Sequence, residues 1–233
     1  MLEKLLIYTN CIGWDYELPP VTPTDDVDYI CVTDREINHS TNGWQIMRIE
    51  PLLPDDKFRS SREPKTLPHL FFSGYGRSLY LDSTVKLKTS PTQLWQHLMP
   101  NEKIIFGGVY HSFRKTVRDE FIAVNSAKYD KTTILQEQMN AYHSHYPNIL
   151  KTQPVWGGIL ARKHNDPDCI ASMNIWFANI LRYSRRDQLS LPLALAGLKP
   201  EQINVVNFDL HDSIFHTWPF GGTKKPPYQT VDN

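Results

Sequence analysis

The chain has 233 residues, and its 25 Lys and Arg balance its 25 Asp and Glu, so no global field attracts nucleic acid or an anionic membrane. Any recognition of a phosphate group must therefore be local. Three cysteines without CxxC spacing argue against a disulfide framework or a zinc site and favour a reducing compartment.

The segment Leu5–Thr9 predicts a buried first strand, and its apolar run, Leu5–Tyr8, is too short for a signal peptide or a membrane span. We therefore expect a cytoplasmic protein without a transmembrane segment. Peripheral association with the inner membrane surface is compatible with this expectation. Further runs predict strands along the chain: Tyr29–Thr33, Trp44–Ile49, Ser78–Leu81, Lys103–Gly107, Val155–Ala161 and Ile203–Phe208.

Helical signals separate the later strands. Ser90, Pro91 and Gln93 form an N-cap, a first-turn proline and a capping-box residue, which predict a helix toward Met99. Other helices are predicted over Arg118–Ala127, Thr133–Tyr146, the residues after Asp166–Pro167, and a last segment from Asp187 that contains Pro192 and ends near Gly197. This alternation predicts an α/β sandwich with a mainly parallel central sheet flanked by helices, as a single domain over 1–233.

The stretch Arg59–Leu87 contains the residues that most strongly suggest ligand binding. It opens with Arg59, Arg62 and Lys65 and ends its apolar run at Asp82. An acid at the end of a buried strand can hold a divalent cation or a sugar hydroxyl at the sheet edge, and the upstream cations can face a phosphate. A core strand that ends in a turn aspartate, beside a solvated basic face, explains the same residues.

Polar residues also end two other strands, Thr9–Asn10 and Thr33–Asp34, where they could bind a nucleobase or ribose or serve in ordinary turns. Trp156–Gly157–Gly158 offers a surface for a sugar ring, or a tight turn into a buried strand.

Asp187 and Gln188 lie where a helix is predicted to begin, so they either favour the helix dipole or reach a sugar donor and acceptor. His111, Arg114 and Glu120 form either a structural ion-pair cluster or an acceptor contact. The tail from Asp209 holds His211, His216, Lys224 and Lys225, and is either a poorly ordered terminus or a segment that closes over a diphosphate.

Six motifs in order resemble a glycosyltransferase-like domain family catalogued as domain of unknown function 616, whose plant members are linked to cell-wall and mucilage polysaccharides. They are GWD at 13–15, DYICVTD at 28–34, REPKTLPHLFF at 62–72, SLYLD at 78–82, HSFR to Glu120 at 111–120, and RRDQ at 185–188. The resemblance spans roughly Leu5 to Ala196. That family is in turn similar to glycosyltransferase family 8, which implies a glycosyltransferase A fold of Rossmann-like type.

The resemblance implies a role for each matching position. The nucleotide-sugar would meet Thr9, Thr33, Asp34, Arg62, Lys65, Asp82, Lys224 and Lys225. Asp187 and Gln188 would form the reaction centre, and the sugar or acceptor pocket would include His111, Arg114, Trp156, Gly157 and Gly158. A Mn²⁺ or Mg²⁺ ion would be held by Asp82 and His216. The chain departs from the family 8 Asp-x-Asp metal motif, since Asp82 is followed by Ser83 and Thr84 and the second acid is missing.

The implied activity is transfer of a sugar from a nucleotide diphosphate sugar, expected to be a UDP-sugar, to a glycan, lipid-linked or glycoconjugate acceptor. By analogy with family 8, the anomeric configuration would be retained. Two other functions fit the same residues: a catalytically inactive nucleotide-sugar-binding module, which would never release the diphosphate, and a nucleotidyltransferase, which would take a nucleoside triphosphate.

Overall fold

A computed structural model describes residues 4–14, 17–37 and 40–220. Within these ranges, one sheet of seven strands forms the centre of the molecule. Its strands are β1 (Leu5–Asn10), β2 (Val27–Thr33), β3 (Gln45–Arg48), β4 (Ser78–Leu81), β6 (Phe106–Tyr110), β7 (Val155–Arg162) and β8 (Ile203–Val206). Their order across the sheet is β3–β2–β1–β4–β7–β6–β8. A separate two-stranded pair joins β5 (Lys86–Leu87) to β9 (His216–Thr217).

The sheet is mostly parallel, as the sequence predicts. β1 pairs parallel with β2 and β4, β2 with β3, and β6 with β8, whereas β7 runs antiparallel to both β4 and β6. The start of β7 therefore lies at the same edge of the sheet as the carboxyl ends of β1, β4 and β6. The mixed α/β architecture confirms the predicted fold class of a glycosyltransferase A, Rossmann-like sandwich.

Seven α-helices are present in the described ranges: α1 (Lys57–Thr66), α2 (Pro68–Phe71), α3 (Pro91–Leu98), α4 (Val117–Ser126), α5 (Thr132–His145), α6 (Pro167–Arg182) and α7 (Leu191–Leu195). The capping box of α3 is formed as predicted, with Ser90 and Gln93 bonded reciprocally. The predicted last helix begins instead as a 3₁₀ turn, Asp187–Leu189, followed by α7.

Side chains that alternate along the strands pack into two hydrophobic cores, one on each side of the sheet. Leu5 and Ile7 of β1 pack with α3 on one side, and Leu6 and Tyr8 pack with α6 and α7 on the other. A third cluster lies under α4 and α5. All three cysteines are buried, and none is part of a disulfide. Throughout the described ranges, no helix combines the length and the apolar character needed to cross a membrane.

Helix α1 is fixed at both ends. Near its start, Arg59 donates from Nε to the carbonyl of Ile180 at 2.9 Å and from Nη2 to that of Tyr183 at 2.7 Å, which ties α1 to the end of α6. At its end, the Tyr8 hydroxyl donates to the carbonyl of Lys65 at 3.3 Å. Helix α1 is therefore held in a defined position against the sheet.

Tyr8 also contacts a fully buried arginine, Arg162, at the end of β7. Its Nη2 donates to the Tyr8 hydroxyl, and its Nη1 donates to Sδ of Met173 at 3.4 Å. Among the described residues, no acid lies within ion-pair distance of Arg162. The chain from Arg162 through Tyr8 thus links the reversed strand to the carboxyl end of α1.

Candidate active site

A cleft of about 630 Å³ opens at the carboxyl edge of the sheet. Asn10 at the end of β1, Asp82 after β4 and His111 after β6 line it, together with Trp156 from the start of the reversed β7. In open α/β sheets this edge is where ligands bind. The cleft is therefore the first candidate for a functional site.

The centre of the cleft is a buried lysine held between two acids. Lys65 Nζ lies 2.5 Å from Asp187 Oδ2 and 3.4 Å from Asp82 Oδ1. The side chains of Lys65 and Asp187 are only 3% and 4% exposed, whereas that of Asp82 is 33% exposed. Lys65 comes from the last turn of α1, Asp82 from the end of β4 and Asp187 from the 3₁₀ turn. Only Asp82 of the two acids is presented substantially to solvent.

Gly157 makes this arrangement possible. A Cβ atom at position 157 would lie 2.8 Å from Lys65 Nζ and 3.1 Å from Asp187 Oδ2, closer than ordinary van der Waals contact. Because glycine has no Cβ, the ion pair can lie directly against the backbone of β7. The glycine thus provides room for a buried charge pair.

Asp187 stays ionised throughout the ordinary pH range. Burial acts to raise its pKa, but the cations Arg62, Lys65 and Arg186 outweigh burial and hold the pKa far below its usual value. Arg62 Nε lies 3.8 Å from Asp187 Oδ2, and the backbone N–H of Gln188 donates to Asp187 Oδ1 at 3.1 Å. A carboxylate held this firmly anchors Lys65 and is a poor proton acceptor.

A short hydrogen-bonded chain orients Asp82. The Tyr80 hydroxyl donates to Asp82 Oδ1 at 2.9 Å, and Asn10 Nδ2 donates to the Tyr80 oxygen at 3.3 Å. Burial and the neighbouring Asp82 charge raise the pKa of Tyr80 well above its ordinary value, so it remains a donor. Asp82 therefore faces the cleft in a fixed orientation.

A second polar group lies on the α4 side of the cleft. Arg114 Nε pairs with Glu120 Oε2 at 3.1 Å, and Gln188 Nε2 donates to Glu120 Oε1 at 3.2 Å. Burial raises the pKa of Glu120, although Arg186 and Arg114 oppose that rise. Burial, Arg114 and Arg186 lower the pKa of His111 to about 4, so its imidazole is neutral near pH 7.

The outer rim is aromatic. His211 stacks on Trp218 with ring centroids 5.3 Å apart, and Phe113 lies 5.1 Å from His211. The Trp218 indole N–H donates to the Thr84 hydroxyl at 3.1 Å, which fixes this rim to the loop after Asp82. We call Phe113, His211 and Trp218 the rim wall; all three line the cleft.

Comparison with known proteins places the chain in a family. The model of the TOD1/MUCI70, glycosyltransferase-like domain family matches residues 29–215. The chain belongs to this family.

A curated relative agrees with that assignment. The chain is 26% identical over 161 residues to the "Probable hexosyltransferase MUCI70" of Arabidopsis thaliana, which covers 66% of this chain and 27% of that protein. The chain thus matches about a quarter of the relative's length. Both comparisons confirm the resemblance carried by the sequence motifs, and membership of the TOD1/MUCI70 family supports the prediction of an enzyme of the glycosyltransferase class.

Several predicted site residues of this TOD1/MUCI70 domain meet in the cleft. These are Arg62, Lys65, Asp82, His111, Arg114, Trp156, Asp187 and Gln188. Their assigned roles stay predictions, but the fold brings them together from distant parts of the chain.

Three of the residues predicted to contact the nucleotide-sugar, Thr9, Thr33 and Asp34, lie outside the lining of the cleft. Thr9 and Thr33 are buried. Asp34 accepts from the backbone N–H of Gly13 at 2.9 Å and from Lys57 Nζ at 2.9 Å. Burial acts to raise its pKa, but these two partners keep the pKa below its ordinary value. In this structure Asp34 fastens the loop after β1 to the start of α1.

The glycine pair and its tryptophan also differ from the expected sugar surface. Trp156 is 3% exposed, and one face of its indole stacks on His216 at 5.5 Å. A Cβ at Gly158 would lie 2.2 Å from the Trp156 ring, so Gly158 lets the indole fold back over its own strand. In this arrangement Trp156 leaves little surface accessible to a ligand.

The residues present do not form a shell for the implied metal ion. Asp82 supplies one carboxylate, and the Thr84 hydroxyl at the missing acid's position accepts a hydrogen bond from Trp218. Both nitrogens of His216 have protein partners, Ser213 Oγ at 2.8 Å and the Leu210 carbonyl at 3.1 Å. Across the described ranges, no group of three His, Cys, Asp or Glu side chains could hold a metal. A bound Mn²⁺ or Mg²⁺ ion stays a prediction.

The predicted closing tail is described only as far as residue 220. Leu210, His211, Trp218 and Pro219 line the cleft, so the tail does reach its rim. Lys224 and Lys225 lie outside the described residues.

Sequence reasoning did not name Tyr80, Arg186, Trp14, Phe58, Phe113 or Trp218 as site residues, and it named His211 only as part of the tail. Strand alternation could have found Tyr80, because residues 80 and 82 point to the same face of β4. Trp14 and Phe58, with ring centroids 4.7 Å apart, also line the cleft. They meet only because the loop after β1 packs on α1, a contact that no local pattern indicates.

Proposed function

We propose that this chain transfers a hexosyl group from a nucleoside diphosphate sugar, a UDP-sugar, to a hydroxyl of a glycan or glycoconjugate. The observation that carries the proposal is the buried Lys65 between Asp82 and Asp187 at the carboxyl edge of the sheet, inside the cleft of a TOD1/MUCI70 domain. The hexosyl group is inferred from the relative in Arabidopsis thaliana, a probable hexosyltransferase.

The charge of the cleft suits an anionic donor. Four cations line it, Arg62, Lys65, Arg114 and Arg186, against the three carboxylates Asp82, Glu120 and Asp187. Arg114 is paired with Glu120, so we expect a bound diphosphate to lie nearer to Arg62 and Lys65. Fixed positive charge around a departing diphosphate stabilises the negative charge that develops in the transition state.

The proposed transfer of the sugar needs no covalent enzyme intermediate. The acceptor oxygen bonds to the anomeric carbon, and the bond from that carbon to the diphosphate breaks with its electron pair on the leaving oxygen. The acceptor proton passes to the departing diphosphate. Because Asp187 is held ionised by three cations, it positions Lys65 and takes no proton. Retention of configuration is inferred from the resemblance to glycosyltransferase family 8 and would be read from the anomer of the first product by NMR.

We place the acceptor against the rim wall. Its stacked rings present apolar surface to one face of a sugar ring, while Arg114 and His111 line the adjacent part of the cleft for hydroxyl contacts. Phe113 is 50% exposed, which leaves that ring accessible.

A first experiment tests the donor. A panel of UDP- and GDP-sugars is screened by thermal shift, because a ligand that binds the folded state raises its apparent stability. Slow release of UDP from the sugar that binds, without an acceptor, would identify an active transferase. Binding with no release under any condition supports the inactive module, and a preference for nucleoside triphosphates with pyrophosphate release supports a nucleotidyltransferase.

A second experiment tests the acceptor position. Phe113→Ala combined with His211→Ala should lower transfer to cello-, xylo- and galacto-oligosaccharide acceptors by about tenfold, as expected for lost aromatic contacts, while donor hydrolysis continues. Ile214→Ala removes an exposed side chain, 73% accessible and on the same segment, and serves as the control. Equal losses of transfer and hydrolysis, or no loss, would place the acceptor elsewhere.

A further inference from the structure

We propose, on the basis of the proposed function, that the Lys65 ammonium takes the place of the divalent ion, so that this domain grips the donor diphosphate without a metal. The inference rests on the position of the Lys65 ammonium beside the Asp82 carboxylate. It makes Lys65 the catalytic residue for departure of the diphosphate, and Asp82 and Asp187 its positioning residues.

The first argument is position. The resemblance to family 8 implies a metal ion at the acid that ends the middle strand, and here that acid is Asp82. Lys65 Nζ already lies 3.4 Å from its Oδ1. A divalent ion bound to the same carboxylate at about 2.0–2.6 Å would lie close to this ammonium and be repelled by it.

The second argument concerns the other expected ligands. At position 84 a threonine replaces the second acid, and its hydroxyl is bonded to Trp218. The His216 ring lies between Ser213 and the Leu210 carbonyl and stacks on Trp156. Both positions have structural partners that a metal ion would have to displace.

The third argument is that the lysine is rigid and still has a donor to offer. An ammonium has three N–H donors; Asp82 Oδ1 accepts one of them at 3.4 Å, and Asp187 Oδ2 lies 2.5 Å from Nζ as its ion-pair partner. Lys65 also lines the cleft, with Nζ 5.0 Å from the centre of the Tyr80 ring. A phosphate oxygen that enters beside Asp82 can accept the third donor without moving the lysine, which is the preorganisation that leaving-group stabilisation requires.

Calorimetric titration tests the proposal with UDP, GDP and inorganic pyrophosphate as probes. Each is titrated into the chain in excess EDTA, and again with excess Mn²⁺ or Mg²⁺. We expect the Kd of the probe that binds to differ by less than about threefold between EDTA and metal. Lys65→Met should weaken binding in EDTA by at least about tenfold, as expected for loss of a charged hydrogen bond.

Two variants separate the role of Lys65 from effects on folding. Lys57→Met is the matched control, because Lys57 lies on the same helix and pairs with Asp34 but does not line the cleft. Lys65→Met combined with Asp187→Asn removes both buried charges together, so no carboxylate is left unpaired in the core. This double variant should fold and should still bind at least about tenfold more weakly than Lys57→Met.

The outcomes are distinct. Binding that is lost in EDTA and restored by Mn²⁺ or Mg²⁺ would overturn the inference and leave the proposed function intact. Unchanged binding in a folded Lys65 variant would also overturn it. If none of the probes binds the wild-type chain with or without metal, while the nucleotide-sugar panel also gives no shift, both proposals fail.

Discussion

Gly157→Ala is the most direct test of the buried ion pair. The added methyl would lie 2.8 Å from Lys65 Nζ and 3.1 Å from Asp187 Oδ2. Ordinary contact begins near 3.4 Å, so the nitrogen must move by about 0.6 Å. If the Lys65–Asp187 distance of 2.5 Å lengthens by that amount, the Coulomb energy of the pair falls by about 1.3 kcal/mol at an effective dielectric constant of about 20.

Overpacking adds to this loss, typically by about 1–3 kcal/mol in a close-packed site. We therefore expect Gly157→Ala to lower the free energy of unfolding by about 2–4 kcal/mol, and to weaken UDP binding by about tenfold through the displaced ammonium.

The assay is urea denaturation followed by calorimetric titration of UDP. Gly74→Ala is the matched control, because a Cβ there meets no atom within 4 Å. If the Gly157 variant is as stable as the Gly74 variant and binds UDP equally well, then the close approach of β7 to the ion pair has no functional meaning and the reasoning fails.

Three further predictions concern charged groups in the cleft. Asp82→Asn should reduce donor turnover by about 10²-fold or more while the stability changes by less than about 1 kcal/mol, since its side chain is 33% exposed; full turnover in a folded variant would contradict its role. Asp187→Asn should cost about 3–5 kcal/mol in urea unfolding, because it removes the nearest counter-ion of a buried lysine. Because the folded pKa of Asp187 is depressed, its contribution is present above the unfolded pKa near 4 and lost as the pH falls below it, so the variant should lose less stability below pH 4 than the wild type. The pKa of His111 is about 4 in the folded state against about 6.5 in the unfolded state, so the free energy of unfolding of the wild type should fall by on the order of 1 kcal/mol as the pH is lowered from about 6.5 to about 4. His111→Gln should flatten this part of the plot of unfolding free energy against pH. An unchanged slope in the variant would show that His111 is not held neutral.

The predictable parts of the fold are those set by local pattern. The strand Ser78–Leu81 has the predicted bounds, and the capping box of α3 is formed by the predicted residues. Helix α1 was not predicted, because Pro64 lies inside it and its apolar spacing is poor. The proline is tolerated near the carboxyl end of α1, where packing and the bonds made by Arg59 hold the helix in place. The reversal of β7 depends on pairing with distant strands, which no local pattern reports.

The sequence predicted which residues belong to the site better than it predicted how those residues contact one another. Lys65, Asp82 and Asp187 were each identified as candidate residues, and the structure brings all three into one network. Their arrangement, with the lysine between the acids, depends on how α1, β4 and the 3₁₀ turn meet in space. Asp34 resembles a nucleotide ligand in sequence, but its partners Gly13 and Lys57 come from a loop and a helix whose packing the sequence does not indicate.

The buried Arg162 has a consequence for how this domain can vary among its relatives. A guanidinium has five N–H donors, which need acceptors when the group is buried. The Tyr8 hydroxyl accepts from Nη2 of Arg162, Met173 Sδ accepts from Nη1, and Tyr8 in turn donates to the Lys65 carbonyl at the carboxyl end of α1. Positions 8 and 162 should therefore change together: a homologue that lacks the tyrosine hydroxyl should also lack the arginine.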